Sequence, residues 1–426
     1  MASEQDSGAG SDPSLASESS FPDADVARPL ADVRVLDLSR YLPGPLVSRL
    51  LADLGADVVK VEEPTLGDPS RQAPPQLDGR SSLAAILLAG HRSLALDLKK
   101  EPARQVLLEL LADVDVLVES FRPGVLAGWG LAPEKLQARF PALVLCSVTG
   151  WGQDGPLARR SGHDLTYQAL AGTLAPRPEV VPASQTADIL GAWSAVSAIL
   201  AALYRRQRTG RGCWIDQSLA DAAGHAAITN WAAEADGPKA LGKKLPLTGA
   251  LPCYDLYSTK DGGYLAVAAL EPKFWRRFCR ALGRLDLVAR QFSTEDATRN
   301  EVARVVKERS RDEWAEFLTE LDVPVEPVLS ASEALEHPQV KSRGMFFEAE
   351  DGLRRLAFPA RFDGQRPCGD PTFPEHGQHT HDLLRGLEAP RGLGRWARRR
   401  GGIGRRFRLK ARLLQWATGL LSRRIG

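Results

Sequence analysis

The chain has 426 residues, of which 43% are hydrophobic and 25% are charged. These values are typical of a globular protein of two or three domains and exclude a fully disordered chain. The formal net charge of +2 hides an asymmetry, because residues 391–426 carry twelve Lys or Arg and no Asp or Glu. Residues 1–390 therefore have a net charge of −10. This acidic body argues against a catalytic domain that holds a nucleic-acid backbone, and we expect no nucleic-acid partner.

Cysteine usage and the N-terminus bear on the cellular location. The five cysteines stand apart, at positions 146, 213, 253, 279 and 368, without a CxxC pair. This pattern predicts reduced thiols and a cytoplasmic protein rather than a disulfide scaffold or a zinc finger. Residues 1–29 contain six acidic residues, one basic residue and few large apolar ones. We predict a disordered leader there, not a signal peptide.

Strand-like and helix-like segments alternate from Val33 onwards. The predicted strands are 33–38, 57–62, 93–98, 114–119, 142–148 and 213–219, and helices are predicted at 45–54, 102–112 and 133–139. Such alternation predicts a Rossmann-like, doubly wound α/β domain with a parallel sheet. The first strand–helix junction, LSRYLPGPL, lacks the GxGxxG fingerprint, and GxxxxGK[ST] occurs nowhere. The sequence therefore favours neither dinucleotide nor P-loop chemistry.

Residues 189–204 form a run of sixteen positions without a charge. A membrane-spanning helix needs about 20 apolar residues, so we predict a buried core helix. Asp188 stands just before the run and the basic segment RRQRTGR follows it. Acid at the start and bases at the end suit the dipole of a helix.

The pattern of predicted elements changes after residue 221. The segment YDLYSTKDGGYLAVAAL (254–270) predicts a β-hairpin with its turn at DGG, and amphipathic helices are predicted near 272–282, 298–309 and 311–321. The predicted regions are a leader (1–29), the first part of a large domain (30–221), a smaller α+β domain (222–345), a return to the large domain (346–390) and a basic tail (391–426).

Two residues are the first candidates for chemistry. Asp188 could be an N-cap that accepts hydrogen bonds from the amides of its helix, or a nucleophile or base beside an acyl group. His163, in SGHDLTYQALAG, could be an ordinary turn residue, with Asp164 capping a helix at 165–171. Histidine is also the side chain most easily tuned for proton transfer near neutral pH.

Glu271 and the histidine-rich segment HGQHTH (376–381) are weaker candidates. Glu271 ends the hairpin before Pro272, where a first-turn acid commonly starts a helix. Three histidines within six residues can bind zinc, but a closed site needs a fourth ligand and fixed geometry. We predict a surface turn at 376–381 and no metal site.

Three basic residues could contact phosphate. Arg122, in ESFRPGV, comes just after a predicted strand, and Arg92 and Lys99 belong to GHRSLALDLKK. Each is either a solvated side chain or a phosphate contact at the edge where open parallel sheets bind ligands.

Several segments together resemble the class III CoA-transferase (CaiB/BaiF) family. They are RVLDLSRYLPGPLVSRLLADLGADVVKVEEP, GHRSLALDLK, ESFRPGVLAGWGL, VTGWGQDGP, SGHDLTYQALAG, ADILGAW, RTGRGCWIDQSL and PEHGQHTHDLL, in family order over about residues 30–388. The resemblance implies a large Rossmann-like domain, a small domain and two interlocked subunits. It also implies an acyl-CoA substrate, with coenzyme A as part of that substrate and no tightly bound cofactor.

The resemblance leaves two activities open. In the CoA-transferase branch, the aspartate that matches Asp188 becomes an acyl anhydride and then a CoA thioester. In the α-methylacyl-CoA racemase branch, that aspartate and a histidine matching His163 are the two bases. The SGHD segment and LAVAALEPKFW, which places Glu271 as a supporting residue, match the racemases. The glycine run of well-studied transferases is absent from residues 237–250.

These features favour a racemase that inverts the α carbon of a 2-methyl-branched acyl-CoA. A thioester acidifies its α-hydrogen, and a His/Asp pair can remove and return the proton on opposite faces. We expect backbone N–H groups at the start of the helix after Asp188 to stabilise the enolate. By resemblance, Arg122, Lys99 and Arg92 are the phosphate contacts. Glu63 stands where racemases often have an arginine, which removes one expected contact.

The tail lies outside the resemblance. Leu409, Leu413, Trp416 and Leu420 would share one face of a helix flanked by arginines. A basic amphipathic helix can lie on an anionic membrane or a partner. A disordered extension, or a helix packed on its own dimer, is the alternative. We hypothesise weak peripheral membrane attachment.

Overall fold

The computed structural model describes residues 28–238, 241–367 and 369–388. Almost all of the predicted leader and the whole predicted tail lie outside these residues. The strands are β1 (Arg34–Asp37), β2 (Asp57–Glu62), β3 (Gln76–Leu77), β4 (Arg80–Ser81), β5 (His91–Ala95), β6 (Val116–Glu119), β7 (Val144–Thr149), β8 (Trp214–Ser218), β9 (Tyr254–Ser258), β10 (Tyr264–Ala268), β11 (Val325–Pro327), β12 (Phe346–Glu348) and β13 (Arg354–Leu356).

Helices connect these strands, together with short 3₁₀ turns at Pro69–Gln72, Leu111–Asp113, Glu234–Asp236, Pro246–Thr248 and Leu285–Arg290. The helices are α1 (Pro43–Asp53), α2 (Ser82–Leu88), α3 (Glu101–Leu110), α4 (Val125–Gly128), α5 (Pro133–Arg139), α6 (Asp164–Ala171), α7 (Thr186–Thr209), α8 (Leu219–Ala226), α9 (Ile228–Ala233), α10 (Pro272–Ala281), α11 (Asp296–Val306), α12 (Arg311–Leu318), α13 (Ala331–Glu336), α14 (Pro338–Arg343) and α15 (Thr380–Glu388).

The main sheet has six parallel strands in the order β5-β2-β1-β6-β7-β8, so the predicted α/β fold is confirmed. Its strands are apolar on both faces because helices cover both. Val35 of β1 packs in the cluster with α1 and α7, whereas its neighbour Leu36 packs in the cluster with α3 and α15. Successive side chains of a strand point to opposite faces, so this alternation buries the whole strand.

Among the strands of the main sheet, β5 differs most from its predicted range. β5 covers His91–Ala95 rather than 93–98, because His91 pairs with Val58 and Ala95 with Glu62 of β2. The chain then turns at Asp97, whose carboxylate accepts a hydrogen bond from the backbone N–H of Lys99 at 3.1 Å.

The uncharged run forms most of α7, which extends from Thr186 to Thr209. By length and mean hydropathy (1.6), it is the one helix among the described residues that could cross a membrane. Its face containing Ala192, Ala195 and Ile199 is buried in the main hydrophobic cluster with Leu51 of α1. This packing is that of the core helix predicted from the sequence.

A second sheet lies in the later part of the chain, with the antiparallel order β11-β10-β9. The predicted hairpin is present, with Tyr264 paired to Ser258 across the DGG turn. The sheet and α10–α12 enclose a separate apolar cluster that includes Trp275, Phe278 and Trp314. The exact boundaries 222 and 345 stay a prediction.

The last described segment contacts the main sheet. The backbone N–H of His379 donates to Ser93 O at 3.0 Å, and the Thr380 hydroxyl accepts from Ala95 N–H at 2.9 Å. Leu383 and Leu384 of α15 are buried on the face formed by Leu36 and its neighbours.

Candidate functional site

The strand order locates the crevice of the main sheet. β1 lies beside β6, where the order of strands reverses, and ligands of open α/β sheets bind outside the carboxyl ends of strands at such a point. Arg122 lies in the exposed segment after β6, and Lys99 is exposed after β5. β5 is three strands away from β6, so these two segments are separated by about 14 Å across the sheet.

Arg92 is in a different place. As the second residue of β5 it lies at the amino edge of the sheet, where its Nη2 donates to Asp57 Oδ2 at 2.7 Å. The structure therefore does not bring Arg92 together with Arg122 and Lys99.

His163 stands immediately before α6 in an extended conformation, and it is exposed. Its backbone N–H donates to the Thr166 hydroxyl at 3.1 Å, which anchors the start of the helix. The preceding loop passes close to Tyr167, because a Cβ on Gly150 or Gly162 would collide with the tyrosine ring or hydroxyl. The glycines of VTGWG and SGHD thus let the loop approach α6.

Asp188 lies in the first turn of α7 as its third residue. The expectation that Asp188 is the N-cap is wrong, because the helix begins at Thr186 and Gln185 occupies the cap position. The backbone N–H of Ile189 donates to Gln185 O at 2.9 Å, which closes the first turn before Asp188 could cap it.

Asp164 connects the two candidate bases. Its Oδ1 accepts hydrogen bonds from the backbone N–H groups of Ala187, at 2.8 Å, and Asp188, at 3.2 Å. Its Oδ2 accepts from Gln168 Nε2 at 2.7 Å. The expectation that Asp164 caps its own helix is therefore wrong, because its carboxylate caps α7. The residue next to His163 is held against the first turn that carries Asp188.

These hydrogen bonds also correct the expected enolate site. The amides of Ala187 and Asp188 already donate to Asp164, so they are not open donors. Among the residues that the structure describes, the backbone N–H groups of Asp164 and Leu165 in the first turn of α6 donate to no protein acceptor.

The electrostatics of the site follow from its carboxylates. Burial raises the pKa of Asp188, and the negative charge of Asp164 raises it further, to about 7. Near neutral pH Asp188 is therefore divided between acid and carboxylate. Burial and the charges of Asp188 and Asp164 raise the pKa of Tyr167 to about 12, so its hydroxyl stays protonated.

Arg122 belongs to the same neighbourhood. Its Nη2 donates to Ser161 Oγ at 3.1 Å, two residues before His163. Its charge also acts on Tyr167, which makes an edge-to-face contact with Trp151 at a centroid distance of 4.8 Å. These contacts place Arg122 beside the segment from Ser161 to Tyr167, which includes His163 and Asp164.

Glu271 lies at the end of the hairpin in the second sheet. It is exposed and precedes α10, as the sequence predicts. Gln291 Nε2 donates to Leu270 O at 2.8 Å and so holds the end of the hairpin before Glu271. Within the described residues, no hydrogen bond or ion pair joins Glu271 to His163 or Asp188.

A second set of carboxylates lies deeper, at the ends of β1 and β2; we call Asp37, Lys60, Glu62, Asp68 and Arg71 the buried ion cluster. Lys60 Nζ lies 3.1 Å from Asp37 Oδ2 and 3.3 Å from Asp68 Oδ2. Arg71 Nε lies 2.7 Å from Glu62 Oε2. Burial alone would raise the pKa of Asp37, but Lys60 and the Ser39 and Ser48 hydroxyls hold it below its usual range.

The histidines of HGQHTH have separate neighbours. His376 Nε2 lies 2.9 Å from Glu63 O, His379 Nδ1 accepts from the Ser93 amide, and the His381 ring contacts Arg385. The Glu63 carboxylate accepts from the amides of Thr65 and Leu66, both at 3.0 Å. The Glu63 carboxylate therefore stabilises the turn that follows it in the chain.

Sequence reasoning missed the role of Asp164 and the position of Tyr167. Both lie in the motif SGHDLTYQ, which the sequence marks as a candidate segment because of His163. The partner of Asp164 is 23 residues away, and no local pattern indicates which helix its carboxylate caps.

Comparisons with known proteins identify the family of the chain. The family description CoA-transferase family III matches residues 30–380. The α-methylacyl-CoA racemase of Homo sapiens is 34% identical over 335 residues, covering 76% of this chain and 83% of the relative. The succinyl-CoA:glutarate CoA-transferase of Mus musculus is 31% identical over 382 residues, covering 85% and 87%.

A solved structure is also similar. A CaiB/BaiF family protein from Brucella suis superposes with a TM-score of 0.75 at 30% identity, covering 84% of this chain and 99% of that protein. The relatives are racemases and CoA-transferases, so the chain is an enzyme of one of these kinds, in a family whose substrates are coenzyme A thioesters. The chain belongs to CoA-transferase family III, as its sequence motifs indicated.

Proposed function

We propose that this protein is an acyl-CoA racemase that inverts the α carbon of a 2-methyl-branched acyl-CoA. The observation that carries this proposal is the pair of hydrogen bonds from the Ala187 and Asp188 amides to Asp164, the residue beside His163. They hold the backbone beside His163 against the first turn of α7, which carries Asp188. The similarity to the human racemase gives independent support.

The proposed reaction is a pair of proton transfers. In one direction a ring nitrogen of neutral His163 removes the α proton, and the C–H electron pair moves onto the thioester oxygen as an enolate. The carboxylic acid of Asp188 then delivers its proton to the opposite face of the same carbon. In the other direction the Asp188 carboxylate removes the proton and the His163 imidazolium returns one. A group with a pKa of about 7 suits both roles.

The enolate oxygen requires donors that are already in place. The amides of Asp164 and Leu165 in the first turn of α6 are the proposed donors, since those of Ala187 and Asp188 are occupied. Arg122 is the proposed phosphate contact nearest the bases, with Lys99 as a second contact further along the crevice. Arg92 is the weakest candidate for a phosphate contact, because it lies at the opposite, amino edge of the sheet.

A CoA-transferase is the second candidate. The Asp188 carboxylate would attack the thioester carbonyl and expel the CoA thiolate, which would then attack the resulting anhydride to give an Asp188 thioester and release the acid. A pKa of about 7 leaves part of Asp188 ionised at neutral pH, as a nucleophile requires. The similarity to succinyl-CoA:glutarate CoA-transferase favours this candidate.

One experiment separates the two functions. A single enantiomer of a 2-methylacyl-CoA is incubated with the protein in heavy water, without any free acid. A racemase incorporates deuterium at the α carbon and forms the other enantiomer. A transferase does neither: its Asp188 forms a thioester that borohydride traps, and CoA is transferred to a new acid only after a carboxylate acceptor is added. Asp188→Asn is the negative control, because it should abolish either activity. Asp221→Asn is the positive control and should keep the activity, because Asp221 is exposed on the neighbouring helix α8.

We also propose a homodimer, in which a second copy covers apolar side chains near the site. Leu170 is 61% exposed at the end of α6, and Trp231 is 62% exposed although its Nε1 donates to Ala171 O. Ile228, beside Trp231, is 66% exposed. Light scattering on the purified chain tests this, since a dimer has twice the 46.2 kDa mass of one chain. A mass of one chain at micromolar concentration contradicts it.

The basic tail lies outside the described residues, and its peripheral membrane attachment is a proposal from sequence alone. Anionic liposomes should pellet the full chain and leave a chain ending at residue 390 in solution. Equal pelleting of both contradicts the attachment. The cytoplasmic location likewise stays a prediction.

A further inference from the structure

Asp164 makes contacts that an ordinary exposed aspartate does not. One of its oxygens accepts from two consecutive amides of α7, and the other accepts from Gln168 within α6. Within the described part of the chain, Asp164 forms no ion pair with a Lys, Arg or His. A single carboxylate without a cationic partner among the described residues thus joins the start of α6 to the start of α7.

The charge of Asp164 acts directly on Asp188. Two causes raise the pKa of Asp188, its burial and the negative charge of Asp164. The elements packed against α7 are α6, α8, α1, β7 and β8, and their other titratable and charged groups are Tyr167, Asp221, His225, Arg49, Asp53, Cys146 and Asp216. Arg49 and Asp53 pair with each other at 2.6 Å, and Asp216, Asp221 and His225 are exposed. Nothing in this set pairs with Asp188.

We infer that Asp164 is a positioning residue, which holds the helix that carries Asp188 against His163 and keeps Asp188 available as an acid. This inference rests on the proposed racemase function. Asp164 does not itself transfer a proton, because both of its oxygens are engaged with N–H groups. The hydrogen bonds of Asp164 align the two bases, and its negative charge makes ionisation of Asp188 less favourable.

The test is Asp164→Asn, which retains an oxygen for the two amides of α7 and removes the charge. The first readout is the titration of the Asp188 carboxyl by ¹³C NMR, assigned by its loss in Asp188→Asn. We expect the midpoint of Asp188 to fall by roughly one unit or more, as for removal of a neighbouring like charge. Asp221→Asn is the matched control, since it removes a charge from the first turn of α8. In this variant the midpoint of Asp188 should equal that of the wild type.

The second readout is the pH profile of α-deuterium incorporation. For the enantiomer whose α proton the Asp188 carboxylate removes, the acidic limb in Asp164→Asn should move down by the same amount as the midpoint. Each unit of that movement is a tenfold change in the ratio of acid to carboxylate at a given pH. The KM should change little. An unchanged midpoint and an unchanged profile overturn the inference. If Asp164→Asn does not fold, Asp164→Ser replaces it, because serine is a good helix cap without a charge.

The two proposals fail in different ways. If the wild type incorporates no deuterium, the racemase function fails, while the NMR titration still shows whether Asp164 controls Asp188. If the wild type is active and Asp164→Asn matches it in both readouts, only the role of Asp164 fails.

Discussion

The protein holds carboxylates in two contrasting environments at the same edge of its main sheet. In the buried ion cluster, every carboxylate has a cationic partner, and Arg71 and the Ser93 hydroxyl outweigh burial to lower the pKa of Glu62 to about 2. Beside α7, Asp188 has a second carboxylate as its neighbour and its pKa rises to about 7. The sign of the neighbouring charge, more than the depth of burial, separates the carboxylate with a lowered pKa from the one with a raised pKa.

The same contrast explains why the two environments coexist. Lys60 and its partners are fully buried, where an unpaired charge would be strongly destabilising. Asp188 is only half-buried, so water offsets part of the cost of placing it beside Asp164. A site that must exchange protons requires a group that is not locked in one protonation state.

The largest expected effect is the loss of activity in Asp188→Asn. An amide can neither accept nor deliver the α proton, so the rate of racemisation should fall by about three orders of magnitude. Chiral chromatography of the acyl-CoA product measures it. His163→Gln should cause a similar loss, and racemisation at the wild-type rate in either variant contradicts the two-base mechanism.

Next in size is the destabilisation caused by Lys60→Met. This variant leaves Asp37 and Asp68 buried without their cation, which should lower the free energy of unfolding by about 3–5 kcal/mol. Urea unfolding followed by circular dichroism measures the loss. In the fraction that stays folded, the midpoint of Asp188 should be unchanged, since Lys60 belongs to the other environment. A neutral effect on stability would show that the cluster does not depend on its lysine.

A smaller effect concerns stability and pH. The folded-state pKa of Asp188 is raised above its unfolded value of 3.8, so Asp188 destabilises the fold progressively as pH rises from about 4 to 7. At pH 8, Asp188→Asn should therefore be more stable than the wild type, by on the order of 2 kcal/mol. At pH 4 the two should be nearly equal. Glu62 has the opposite sign, because its contribution is present above pH 4.5 and is lost as pH falls towards 2.

Arg122→Gln should weaken substrate binding without altering the chemistry. Loss of one charge-assisted phosphate contact corresponds to roughly a tenfold rise in KM for the acyl-CoA, with kcat nearly constant. Steady-state kinetics at low salt measure both. A fall in kcat at constant KM would instead place Arg122 with the groups that act on the transition state.

The smallest effect is expected for Arg92→Gln. Its ion pair with Asp57 is partly exposed, so stability should change by less than about 1 kcal/mol. Its distance from Arg122 predicts wild-type kinetics. A KM increase equal to that of Arg122→Gln would restore the phosphate role that its sequence context indicated.

Much of this architecture could be predicted from the chain itself. Alternating apolar strands and helices identified the parallel sheet, because a strand buried on both faces has a continuous apolar run. The DGG turn located the hairpin, and SGHD and ADILGAW marked His163 and Asp188. These features are encoded by neighbouring residues, or by motifs shared with a family whose members have the same fold.

The tertiary structure alone decided which groups meet. Asp164 caps α7 rather than its own helix, Gln185 takes the cap position expected for Asp188, and Arg92 lies at the edge of the sheet away from Arg122. Each of these outcomes depends on how distant segments pack, and hydrogen bonds between residues 23 or 35 positions apart leave no periodic trace in the chain. The raised pKa of Asp188 has the same origin, because burial and the charge of Asp164 act through space.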